Sequence, residues 1–270
     1  MARPRKKSRR DSDDRRGTVY IIIALIGFVL FGGTGIYVFI NSVETDRETG
    51  CPRGALASVT SVLIDMTDRI GPVQTASLRN TLMAVRDDTP QYGRLEVYAL
   101  GPITSKPLEP IFSGCNPGGR ETASNPLIGN AALAEKNWKK KFADKLDETV
   151  IKISQQEPQN SSPIFEGIQS VAVTSFGVPA AENAHRKLVI ISDLIQHGTE
   201  MSMFQGVPDF ETFKNTQYFA KVRTNLHRAD VELIWIPVST KKNIQTPHYQ
   251  DFWLKYIDSG NGIVVRWAPL

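Results

Sequence analysis

The chain has 270 residues, 41% of them hydrophobic, with a formal net charge of +4. That length and apolar content support a folded core and exclude a wholly disordered chain; two cysteines exclude a disulfide-dense scaffold. The charge is concentrated at one end: residues 1–16 hold eight Arg or Lys and three Asp, so the rest is nearly neutral and no nucleic-acid binding is expected.

The first feature after this basic tail is Val19–Ile40, a run of 22 residues without charge. A helix of that length, at about 1.5 Å per residue, crosses roughly 30 Å of hydrocarbon. Tyr20 and Tyr37 stand near its ends, at headgroup level. Basic residues crowd before the run and only Arg47 and Arg53 follow it closely, which places the N-terminus in the cytoplasm. The run is longer than a signal-peptide core, and NSVETDRETG after it has no A-x-A cleavage pattern. A lipoprotein would need the apolar run to end just before Cys51, and polar residues intervene; Arg9-Arg10 is followed by acidic residues, unlike a twin-arginine signal. The reading is a cytoplasmic tail over 1–17, a retained membrane helix over 18–41, a linker over 42–55 and an extracytoplasmic domain over 56–270. Cys51 and Cys115 both follow the span, where disulfides persist. Their bridge would close a loop of about 64 residues and stabilise by roughly 4 kcal/mol through loop-closure entropy.

Within the outer domain, ASVTSVLI at 57–64 predicts a buried strand ending at Asp65. Residues 73–85 have helical spacing, and RLEVYAL at 94–100 alternates as a second strand. Residues 102–130, rich in Pro and Gly, predict a long loop. A charged helix is expected over 131–154 with Trp138, Phe142, Leu146 and Val150 on one stripe, and another over 164–174. KLVIIS at 187–192 is a third strand, ending at Asp193. A helix over 213–228, a strand over 231–237, a helix over 248–258 and a strand over 262–267 complete the chain. Strands alternating with helices predict an α/β fold with a largely parallel sheet flanked by helices, preceded by a single transmembrane helix. In such sheets, ligands bind outside the carboxyl ends of strands where strand order reverses.

These elements together resemble a von Willebrand factor type A domain over about residues 56–268. The residues that carry the resemblance are VLIDMTD at 62–68, Ser161-Ser162-Pro163 opening a helix, and LVIISDL at 188–194. The resemblance implies a membrane-anchored bacterial member that recognises a protein partner, with a metal-ion-dependent adhesion site at the top of the sheet. The ligand positions would fall on Asp65, Thr67, Ser161 or Ser162, and Asp193, an all-oxygen set suited to Mg²⁺. The third position of the first loop is Arg69, a departure: a guanidinium has no lone pair for a cation. Asp68 beside it is a substitute carboxylate. The site is therefore expected to be degenerate, with Mg²⁺ or a metal-free hydrogen-bonded arrangement as the two alternatives.

The histidines His185, His197, His227 and His248 have no metal-ligand spacing, and G-x-S-x-G, Walker and H-E-x-x-H patterns are absent, so no enzyme is expected. Met201, Met203, Phe204 and Phe210 follow a strand end as a core-covering loop or a partner surface. Asn160-Ser161-Ser162 fits a glycosylation sequon but overlaps the ligand loop. Two functional classes follow: a membrane-tethered protein-binding module, or a structural subunit of an envelope complex with no metal site.

Overall fold

The structure, a computed structural model, describes residues 19–29, 31–33, 35, 43–46, 48–65, 71–101, 107–122, 130–155 and 159–270. The chain falls into two compact units, Met1–Glu44 and Thr45–Leu270. In the first, residues 19–29 are helical, and Tyr20, Phe28 and Val29 are mostly exposed. Among the described residues no helix is long and apolar enough to cross a membrane. The basic tail and part of the expected span, residues 30, 34 and 36–40, lie outside the described residues.

The second unit is built on six strands: β1 (Ser58–Ile64), β2 (Arg94–Ala99), β3 (Phe112–Cys115), β4 (His185–Ser192), β5 (Asp230–Trp235) and β6 (Ile263–Pro269). Their order is β3-β2-β1-β4-β5-β6. Only the β2–β3 pair is antiparallel; the other four pairs are parallel. Every residue of β1 is buried, as a central parallel strand covered on both faces requires.

Alternate side chains feed two cores. Val62, Ile64, Leu95, Val97, Val189 and Ile191 face the helices α1 (Pro72–Asp88) and α3 (Asp144–Ser154), which bring Leu78, Leu82, Leu146 and Val150, and the segment between α2 (Ala131–Trp138) and α3, which brings Phe142. A π-helical turn, Lys139–Ala143, joins α2 to α3, so the predicted stripe through Phe142, Leu146 and Val150 is the buried one. On the other face Val59, Leu63, Leu188, Ile190, Val231 and Leu233 meet α4 (Ile164–Val171), α5 (Phe210–Lys214), α6 (Gln217–Val222) and α7 (Pro247–Ser259). Phe165 of α4 stacks on Phe213 at 5.2 Å and lies 4.6 Å from Tyr256 and 5.0 Å from Trp253.

Two expectations are corrected. The predicted loop at 102–130 contains β3, a four-residue edge strand with Gly114 in it, too short to show alternation. The predicted helix at 213–228 is two short helices. Asn215 ends α5, Thr216 caps α6 by accepting from the Phe219 N–H at 3.1 Å, and Arg223 leaves helical geometry.

Cys51 and Cys115 form a disulfide with Cα atoms 4.7 Å apart. Part of the segment read as linker belongs to the folded unit. Asp46 holds a turn by accepting from the Glu48 and Thr49 N–H groups at 3.0 and 2.8 Å, and the Thr49 carbonyl accepts from the Cys115 N–H at 2.9 Å. The entry of the domain is thereby fastened to edge strand β3.

Candidate functional site

From β1 the chain builds outward to β2 and β3, then crosses back to β4 and builds the other way. The strand order therefore reverses between β1 and β4, which leaves a crevice at their carboxyl ends. Asp65 is the first residue past β1 and Asp193 the first past β4. The Asp65 N–H donates to the Ile191 carbonyl at 2.9 Å, locking the two strand ends together.

Both carboxylates are buried, Asp65 at 3% exposure and Asp193 at 7%. Asp65 Oδ2 accepts from the Ser162 hydroxyl in a short hydrogen bond and from the Ser192 hydroxyl at 2.9 Å. Of the two expected serines, Ser162 is the one brought to Asp65. Its backbone pairs with His197, donating to the His197 carbonyl at 2.8 Å and accepting from the His197 N–H at 2.9 Å. Ser161 is only half-buried and no hydrogen bond ties it to either Asp. Thr67, Asp68 and Arg69 lie outside the described residues.

Asp193 is held by its own loop and by the connection after β5. Its Oδ1 accepts from the Ile195 N–H at 2.9 Å. Its Oδ2 pairs with the Lys241 ammonium at 3.0 Å; the Asp193 side chain is buried, at 8% exposure, and that of Lys241 partly so, at 17%. Its carbonyl accepts from Tyr249 Oη at 2.6 Å and Gln245 Nε2 at 3.1 Å. Burial, and then the negative charge of Asp65, push the Asp193 carboxyl up to about 6, against the downward pull of the Ile195 N–H and Lys241. Ser192, Lys241, Gln245 and Tyr249 were not among the expected site residues. Ser192 adjoins Asp193 and was within reach of a strand-end argument. Lys241 lies 48 positions away in a polar turn and gave no signal.

The loop after β4 covers this end of the sheet. Gln196 is fully buried; its Oε1 accepts from the Phe165 N–H at 3.2 Å and its Nε2 donates to Tyr218 Oη at 3.0 Å. Met203 and Phe210 are buried too, so most of this loop serves the core. Phe204 is the exception, half exposed at 50%. Its ring stands edge-on to His197 at 5.2 Å and carries the Lys241 ammonium 5.0 Å from its centroid.

The expected Mg²⁺ ligands can be tested against this geometry. Mg²⁺ asks for oxygens at about 2.0–2.1 Å in an octahedron. Here Asp193 Oδ2 is committed to an ammonium, and Asp65 Oδ2 accepts from two hydroxyls. Among the described residues no group of three or more His, Cys, Asp or Glu is placed to hold a metal. As arranged, the described donors do not fit a divalent cation.

No protein-family model matches the chain. No curated protein matches it either. Among the solved structures similar to it are two that cover most of its length. An aerotolerance-related membrane protein from Bacteroides fragilis shares 10% identity, covering 79% of this chain and 91% of that one, with a TM-score of 0.37. BatB from Bacteroides thetaiotaomicron, described as a conserved hypothetical protein, shares 13% identity over the same shares of each chain, also with a TM-score of 0.37.

Proposed function

We propose that the chain is a membrane-tethered, extracytoplasmic protein-binding module of the von Willebrand factor type A kind, whose contact surface is the carboxyl end of β1 and β4. The observation that carries this reading is Phe204. An aromatic side chain left half exposed beside a buried ion pair, at the switch point of the sheet, is the kind of group that anchors a protein interface. Tethering is supported by the charge-free run at 19–40 behind a basic tail, and by the Cys51–Cys115 bridge, which suits an oxidising compartment.

The test is capture of the partner by the full-length chain solubilised from membranes. Phe204→Ala is expected to abolish capture, and Glu182→Ala, an exposed residue just before β4 at the opposite end of the sheet, to leave it intact. Equal capture by both variants would reject the proposed surface. Deleting residues 19–40 separates the two functional classes. A binding module keeps its partner without the span, whereas an envelope subunit loses incorporation into its complex.

A further inference from the structure

The ion pair at the sheet's switch point goes beyond the proposed function, on which this inference rests. We infer that the Lys241 ammonium takes the electrostatic place of a divalent cation, so that the contact surface works without metal and Lys241 is what keeps metal out. Three observations converge on this assignment.

First, the ammonium sits on the carboxylate that a cation would need, with Lys241 Nζ 3.0 Å from Asp193 Oδ2. A cation bound to the same oxygen would meet both the volume of the ammonium and its like charge. Second, Lys241 is built in. It closes a 3₁₀ turn, Ser239–Lys241, and its carbonyl accepts from the Ile244 and Gln245 N–H groups at 2.9 and 3.1 Å. Gln245 then donates to the carbonyls of Asp193 and Ile236 at 3.1 and 2.9 Å, tying the turn across the end of β4. The Phe204 ring lies against the ammonium from the solvent side, a cation–π contact at 5.0 Å. Third, Asp65 Oδ2 accepts from the Ser162 and Ser192 hydroxyls, so hydrogen bonds already occupy that oxygen.

The experiment uses thermal unfolding of the full-length chain in detergent, with chelator or with millimolar Mg²⁺ or Mn²⁺. The wild type is expected to melt at one temperature in all three conditions. Lys241→Met removes the competing charge and leaves Asp65 and Asp193 without it. Its melting temperature should fall, and a tenfold excess of metal over its Kd should then raise it by roughly 3–6 °C. Lys241→Met/Asp193→Asn, which removes both members of the pair, should not respond. Where Lys241→Met is not recovered folded, Lys241→Gln keeps a donor of similar reach and carries the same comparison. A metal-dependent rise in the wild type that Asp193→Asn abolishes would overturn the inference, as would a Lys241 variant indifferent to metal. Either failure leaves capture at Phe204 intact, and loss of capture leaves the metal responses intact, so the two readings fail separately.

Discussion

The two ends of the central strands each bury carboxylates, and they treat them differently. Toward the amino end, Glu96 of β2 is 5% exposed and its partners come from its own sheet face. Arg94 lies 3.2 Å from it two residues away on the same strand, and the Ser61 hydroxyl donates to it at 3.4 Å. Tyr98 beside it hydrogen-bonds Ser175 at 2.7 Å, and Arg94 donates to the Ser175 carbonyl at 3.1 Å. One carboxylate meets one guanidinium, beside the π-helical turn Ala172–Phe176 that extends α4. At the carboxyl end, two buried carboxylates lie at adjoining strand ends, Asp193 pairs with the Lys241 ammonium, and a half-exposed ring stands over it. Burial of charge alone therefore does not mark a site. The marks are two carboxylates brought together, convergence of several loops, and a half-exposed aromatic side chain.

The amino end is the structural one, so the largest loss of stability should arise there. Cys115 pairs in register with Arg94, and the disulfide ties both to the domain entry. Replacing Cys51 and Cys115 together by Ser should cost about 4 kcal/mol through loop-closure entropy. Thermal unfolding would show this as a fall of roughly 8–16 °C. Partner capture at permissive temperature should survive.

Glu96→Ala should come next. It leaves the Arg94 guanidinium, only 17% exposed, without its carboxylate. The expected cost is about 3 kcal/mol by denaturant titration, because a buried charge then lacks its partner. Arg94→Ala/Glu96→Ala together should cost less than the sum of the single changes. Additive losses would show that the two residues do not act as a pair.

The carboxyl end should be distinguished by pH. The Asp193 carboxyl is raised from 3.8 to about 6 on folding, so the folded state holds this proton more tightly than the unfolded state. The stabilisation this proton gives is fully present below about pH 4 and is lost as pH rises toward 6. The difference is at most about 3 kcal/mol. Stability curves of the wild type and Asp193→Asn should diverge across that window and run parallel above it. Parallel curves from pH 4 to 6 would show that folding does not raise the Asp193 carboxyl.

Much of this arrangement was legible from sequence because it rests on strand ends. VLID and IISD each announce a buried strand that stops on a carboxylate, and two parallel strands place such residues side by side. Ser162 rather than Ser161 could not be read, since the choice depends on the backbone pairing of Ser162 with His197. Lys241 could not be read either. It stands beside Lys242, and only the turn tied down by Gln245 selects one of the two. β3 was missed because four residues with a glycine carry no period. The break at Asn215–Thr216 was missed because an apolar pattern at helical spacing hid a capping threonine.

The carboxyl end of β1 and β4 is the proposed contact surface, and the amino end is not. Its most direct test is site-specific photo-crosslinking in intact membranes, with the photoreactive residue placed at position 204 or at position 182 of the full-length chain. A discrete adduct is expected from 204, altered by Lys241→Met, and none from 182. An adduct from 182 with none from 204 would contradict it.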